Sequence, residues 1–232
     1  MFVSPYFLLS VVVGPTHALY LVAFSFVGAV TFAALYSLRV LRSGRPRLRS
    51  TSRPLTLLVV LGSGGHTTEA LRLVSRLGAD RYCRRVYVLA DSDATSERKA
   101  LDAEALRGED GGRFELWRVP RAREVGQSYA SSLFTTVYAF ARAAPALARL
   151  EPDVVLCNGP GTCVPVCALY ALLDALFLLR CRVVYVESVC RVERLSLSAQ
   201  ILYWSRIADA VVVQWPRLKR RYERAVFLGR LI

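Results

Sequence analysis

The stretch from Thr56 to Glu69 leaves this chain little choice of fold. Thr56 to Leu61 (TLLVVL) is an aliphatic run with no polar alternation, as in a strand covered on both faces of a parallel sheet. Gly62, Gly64 and Gly65 break it at once, with Ser63 between them. From there apolar residues recur at Ala70, Leu73, Val74 and Leu77, the spacing of one helix face. A strand, a glycine turn and a helix in that order aim backbone N–H groups and a positive helix end at the space above the sheet edge. Phosphates bind in such places.

The turn is not the dinucleotide fingerprint. The third glycine of G-x-G-x-x-G falls at Thr67, and no acidic residue follows at the required distance. Nor is it a P-loop, which needs Gly-Lys-Ser/Thr. It carries His66 at the helix mouth and Glu69 just inside the helix. A histidine beside an anion-binding turn is a candidate acid–base group. The plainer reading is that Thr67 caps the helix and Glu69 favours its dipole.

Downstream, strands and helices alternate. Arg85 to Ala90, Phe114 to Val119, Asp153 to Cys157, Arg182 to Val186 and Ala208 to Val213 read as strands, with a last short one in the tail Tyr222 to Ile232. Ser96 to Leu106 reads as a short polar helix and Ser131 to Leu150 as a helix interrupted at Pro145. Cys163 to Leu179 is almost wholly apolar, either a second membrane span or, better given its length, a buried crossover helix. The pattern predicts an α/β fold with one Rossmann-like parallel sheet over residues 55–232. Polar signatures recur at four strand ends: Gly62 to Glu69, Pro120 to Ser128 with Arg121 and Arg123, Asn158 to Thr162 with Gly159 and Gly161, and Glu187 to Glu193. In such a sheet these ends converge on one crevice.

The N-terminal part is of another kind. Phe2 to Leu38 holds no charged residue, which predicts a membrane anchor over 1–38 with one span near 18–38. Six arginines (Arg39, Arg42, Arg45, Arg47, Arg49, Arg53) follow in a basic juxtamembrane linker, 39–54. By the positive-inside rule the bulk of the chain is then cytosolic. The net charge of +13, nearly all from arginine, favours anionic partners but accompanies no nucleic-acid recognition motif. Six cysteines without a C-x-x-C pair read as core residues of a reducing compartment, and no metal-ligand spacing is present.

The blocks GSGGHTTE (62–69), PRAREVGQS (120–128), LCNGPGTCVP (156–165), YVESVCRVERLS (185–196) and VVQWPRLKRRY (212–222) carry a family likeness. They resemble the membrane-anchored subunits of the two-part N-acetylglucosaminyltransferase of dolichol-linked oligosaccharide assembly. The likeness runs from Leu55 to Ile232, and the chain departs from it in its arginine richness and longer apolar N-terminus.

The resemblance implies the N-terminal half of a GT-B glycosyltransferase, similar to the bacterial enzyme that glycosylates the lipid-linked peptidoglycan precursor. It implies a single-pass protein on the cytosolic face of the endoplasmic reticulum membrane. There it would recruit a soluble, donor-binding subunit as a heterodimer and be inactive alone. The reaction implied is inverting transfer of N-acetylglucosamine from UDP to a dolichol-diphosphate-linked N-acetylglucosamine. UDP-N-acetylglucosamine serves as donor, with no cofactor or metal. His66 is then the first candidate for the base and Glu69 the second. Gly62, Ser63, Gly64, Gly65, Thr67, Arg121 and Arg123 would hold the diphosphate. Asn158, Gly159, Gly161 and Glu187 would line the substrate side, where Asn158 and Glu187 either bind sugar hydroxyls or order the loops. Two other readings stand beside this one. A purely structural anchor has no need of His66 at a phosphate-type turn. A membrane-tethered nucleotide-dependent oxidoreductase fits poorly with the incomplete fingerprint.

Overall fold

The structure, a computed structural model, describes Ser37 and residues 53–108, 112–119, 143–159, 161–176 and 178–232. The expected span near 18–38 apart from Ser37, most of the basic linker, the loop bearing Arg121 and Arg123, and all but the end of the expected helix 131–150 lie outside the described residues.

Seven strands form one wholly parallel sheet: β1 (Thr56–Val60), β2 (Arg84–Ala90), β3 (Arg113–Val119), β4 (Val154–Cys157), β5 (Arg182–Val186), β6 (Ala210–Val213) and β7 (Val226–Phe227). Their order is β3-β2-β1-β4-β5-β6-β7. The first six follow the Rossmann order, whose topological switch lies between β1 and β4. There Val59 faces Tyr87 of β2 on one side and Leu156 of β4 on the other.

The pleat sorts β1 between two hydrophobic layers. Leu58 and Val60 enter one core with Val155, Cys157, Val183, Tyr185 and Val213. Leu57 and Val59 enter the other with Tyr87, Leu89 and Leu156. The helices α1 (Gly65–Ser75) and α2 (Ala94–Ala105) supply Ala70, Leu73, Val74 and Ala100 to the second layer. The first layer receives Leu147 and Leu150 at the end of a helical stretch over 143–148. It also receives α3 (Cys163–Ala175), α4 (Leu197–Trp204) and α5 (Pro216–Arg221) through Cys167, Tyr170, Leu202 and Leu218. α3 is thus the crossover helix between β4 and β5. Among the described residues no helix is long and apolar enough to cross a membrane. All six cysteines are free, and four of them are buried.

One core feature is ionic. Arg85 occupies an inward position of β2 and is fully buried. Its Nε and Nη2 donate to the two carboxylate oxygens of Glu104 on α2, at 2.7 and 2.6 Å, and Nη1 donates to the Tyr82 carbonyl at 2.8 Å. The Tyr87 hydroxyl also donates to Glu104. Burial alone would raise the Glu104 carboxyl. The hydrogen bonds from Arg85 and Tyr87 outweigh it and hold the group below its ordinary range.

Candidate functional site at the switch between β1 and β4

The glycine turn delivers α1 at Gly65, earlier than the start that a cap at Thr67 would give. Gly64 is the N-cap, in left-handed conformation at φ 66°, and a side chain there or at Gly65 would meet no atom within 4 Å. No side chain caps the helix and its first turn holds no acidic residue. The expected Thr67 cap is therefore not made. Thr67 is buried and donates its hydroxyl to the Gly62 carbonyl, with Ser96 Oγ 2.6 Å away, so its side chain closes the turn from beneath. Ser63, Gly64 and Gly65 lie exposed, and the first N–H groups of α1 are left without a side-chain cap. Contrast α2 and α4, where Asp93 and Ser196 accept from Ser96 N and Ala199 N at 3.0 and 3.2 Å. The start of α3, after β4, is like α1 in having no side-chain cap and no acidic first turn. Two uncapped helix ends thus flank the switch, one on each face of the sheet.

His66 stands half-buried in the first turn of α1, its Nδ1 3.3 Å from Asn158 Oδ1 in the turn after β4. Gly159 makes room for the ring. Its φ of +108° suits only glycine, and a Cβ there would lie 2.4, 2.5 and 2.9 Å from His66 Cγ, Nδ1 and Cβ. The Tyr185 hydroxyl donates to the Gly159 carbonyl at 2.9 Å and fixes the turn from below. Burial, with Glu187 nearby, pushes that hydroxyl's pKa far up, so it stays a donor.

Asn158 is fully buried and Glu69 is 9% exposed. Asn158 Nδ2 donates to Glu69 Oε2 at 2.9 Å and to the Val186 carbonyl at 3.2 Å. Ser188, past β5, donates its hydroxyl to Glu69 Oε1 at 2.8 Å. The Glu69 carboxylate sits inside this network, a full turn deeper than the helix mouth. Glu187 behaves differently from the sugar-binding expectation. It is 1% exposed, and its oxygens accept the backbone N–H groups of Ser188 and Ser196 at 3.0 and 2.6 Å. Burial raises its carboxyl while those bonds oppose the shift. Of the two roles open to it, ordering the loop from 187 to 196 is the one its contacts describe.

Three of the four strand-end signatures thus meet around His66, Glu69 and Asn158. The fourth, with Arg121 and Arg123, lies outside the described residues. Gly161 is exposed beside the start of α3. Two contributors were not singled out as site residues by sequence. Ser188 has no mark but its place after Glu187. Lys99 reaches from α2 to place Nζ 3.3 Å from the Gly64 carbonyl and 3.0 Å from Thr68 Oγ1, adding a cation beside the turn. Its only signal was being one of two lysines in an arginine-rich chain. Among the described residues no group of three or more His, Cys, Asp and Glu is arranged to hold a metal. What the site offers is a half-exposed imidazole, a patch of N–H donors and a nearby ammonium, suited to proton transfer next to a bound anion.

The family described as "Oligosaccharide biosynthesis protein Alg14 like" matches residues 57–231. The rat protein named UDP-N-acetylglucosamine transferase subunit ALG14 is 49% identical over 183 residues, covering 77% of this chain and 83% of its own. The human protein of the same name is 46% identical with the same coverage. Among solved structures, that of Acinetobacter baumannii MurG is similar at a TM-score of 0.49 and 18% identity, over 71% of this chain and 42% of that one.

Proposed function

The chain belongs to the Alg14-like family of oligosaccharide biosynthesis proteins, and from that membership we propose that it is the anchored, acceptor-side subunit of a UDP-N-acetylglucosamine transferase. The donor is UDP-N-acetylglucosamine and the acceptor an N-acetylglucosamine on a dolichol diphosphate. The relatives' name, a transferase subunit, supports a division of labour. The fold agrees in kind, because one parallel sheet forms one wall of a two-domain cleft. A soluble subunit then supplies the other wall and most of the donor contacts. The charge-free run to Leu38 and the arginines after it support an endoplasmic reticulum anchor, with the sheet domain on the cytosolic side.

The observation that carries the chemistry is His66 standing at the strand switch between an uncapped helix end and the Asn158 turn. In the proposed step the acceptor's 4-hydroxyl oxygen attacks the anomeric carbon of the donor sugar. The bond from that carbon to the UDP oxygen breaks, UDP departs with the electron pair, and His66 takes the hydroxyl proton. The glycine turn and Lys99 hold the acceptor diphosphate.

The test is co-expression with a soluble partner subunit and an assay of sugar transfer to a lipid-diphosphate acceptor. The complex should be active and the chain alone inactive. Replacing His66 by alanine should lower turnover about 10²–10⁴-fold with partner recruitment intact. Robust transfer by the isolated chain would overturn the split-enzyme reading. Near-normal turnover of the His66→Ala complex would favour a structural anchor.

A further inference from the structure

We propose that Asn158 is a positioning residue that holds His66 in its Nδ1–H tautomer, leaving Nε2 as the ring's proton acceptor. The inference rests on the role proposed for His66 and adds which nitrogen acts and what sets it.

Asn158 Nδ2 faces Glu69 Oε2 at 2.9 Å and the Val186 carbonyl at 3.2 Å. Both are acceptors, and the donor between them must be the NH₂ group. Flipping the amide would set its oxygen against a carboxylate and a carbonyl in a fully buried place, losing both bonds. The orientation of the side chain is therefore determined, and Oδ1 is the atom that meets His66 Nδ1 at 3.3 Å. A carbonyl oxygen only accepts. The nitrogen facing it carries the proton, and in a neutral ring the lone pair then resides on Nε2.

The network behind Asn158 is closed as well. Glu69 could swing away from the amide, but Ser188 holds its other oxygen at 2.8 Å. The ring itself is wedged over Gly159, whose missing side chain leaves just the space the imidazole fills. Glu69 on α1, Asn158 after β4 and Ser188 after β5 each come from a different strand end. Residues 92 and 119 positions apart are thereby aligned on one nitrogen. This also assigns Glu69 a place: it orients the group that orients the base, and does not meet the substrate.

Selective ¹⁵N-histidine labelling of this chain, in complex with unlabelled partner, reads the tautomer directly. The sequence has two histidines, so a His66→Gln sample assigns the signal. The wild type should show a protonated Nδ1 and an unprotonated Nε2. Asn158→Ala should mix the tautomers and lower kcat about 10-fold or more with a smaller change in acceptor KM, within the range a positioned base supplies. Glu69→Gln retains an acceptor for Asn158 Nδ2, so it should recover at least about 10-fold of the turnover that Glu69→Ala loses.

A wild-type ring protonated at Nε2 would overturn the proposal, and this spectrum needs no variant to fold. So would a Glu69→Gln complex as inactive as Glu69→Ala, the result expected if Glu69 were itself the base. An active His66→Ala complex would instead defeat the catalytic reading while leaving the tautomer result standing, which keeps the two failures apart.

Discussion

Gly159→Ala should disable the site through one methyl group. At φ +108° any side chain strains the backbone, at a cost of about 1–3 kcal/mol. The new Cβ also lies 2.4 Å from His66 Cγ, and ordinary contact begins near 3.4 Å, so the ring must retreat by about 1 Å. That lengthens the 3.3 Å separation of Nδ1 from Asn158 Oδ1 by up to about 1 Å, and a few tenths already takes it past hydrogen-bond range. A displacement of this size in a reacting group costs about 10²-fold in rate. For a domain of this length the strain alone should lower Tm by about 2–12 °C. The assays are thermal unfolding of the complex and its transfer rate, each repeated in a His66→Gly background. There the ring and its Cβ are gone, so Gly159→Ala should retain its thermal cost and lose its further effect on rate. A Gly159→Ala complex with wild-type turnover would refute the argument that glycine is needed to seat the histidine. Equal rate losses in both backgrounds would refute it too.

The buried Arg85–Glu104 pair should behave as a unit. Glu104→Ala strands a buried guanidinium and should cost about 3–5 kcal/mol in urea unfolding, whereas Arg85→Met with Glu104→Leu and Tyr87→Phe, which also removes the hydroxyl that Glu104 accepts from, should come closer to wild type. The Glu104 carboxyl is held below its unfolded value of 4.5, so its stabilisation is present above that pH and lost as pH falls through the folded value. The urea midpoint of wild type should drop more steeply below about pH 4.5 than that of Glu104→Gln. Lys99→Ala should raise the acceptor KM about 3–10-fold with little change in kcat, and added salt should shrink the difference, as an acceptor titration would show. Protease added to sealed microsomes should digest the sheet domain; a protected domain would reverse the proposed orientation.

The β1 turn and α1 were legible because a strand period, three glycines and a helix period follow one another within a few residues. Only the onset of α1 was misplaced, since Gly65, His66 and Thr67 carry no apolar face from which to read a helix. α4 left no such trace. Its eight residues bury Leu202 and Tyr203 but expose Leu197, Ile201 and Trp204, so the apolar pattern runs all the way round. α5 has six residues and announces itself only by Pro216 in its first turn. Arg85 adds to the positive charge of the composition, yet the pleat turns it inward to Glu104. The residues of the site were visible as separate turns. Their meeting was not, because it depends on β4 pairing beside β1 across a separation that no local pattern spans.

Every strand of the sheet runs the same way, so α1, α2, α3, α4 and α5 all begin at the same rim. Their peptide dipoles add rather than cancel. The positive ends of all five helices therefore gather at the rim that holds His66. For the lipid-linked diphosphate proposed as acceptor, that rim is the edge of the domain to which its negative charge would be drawn.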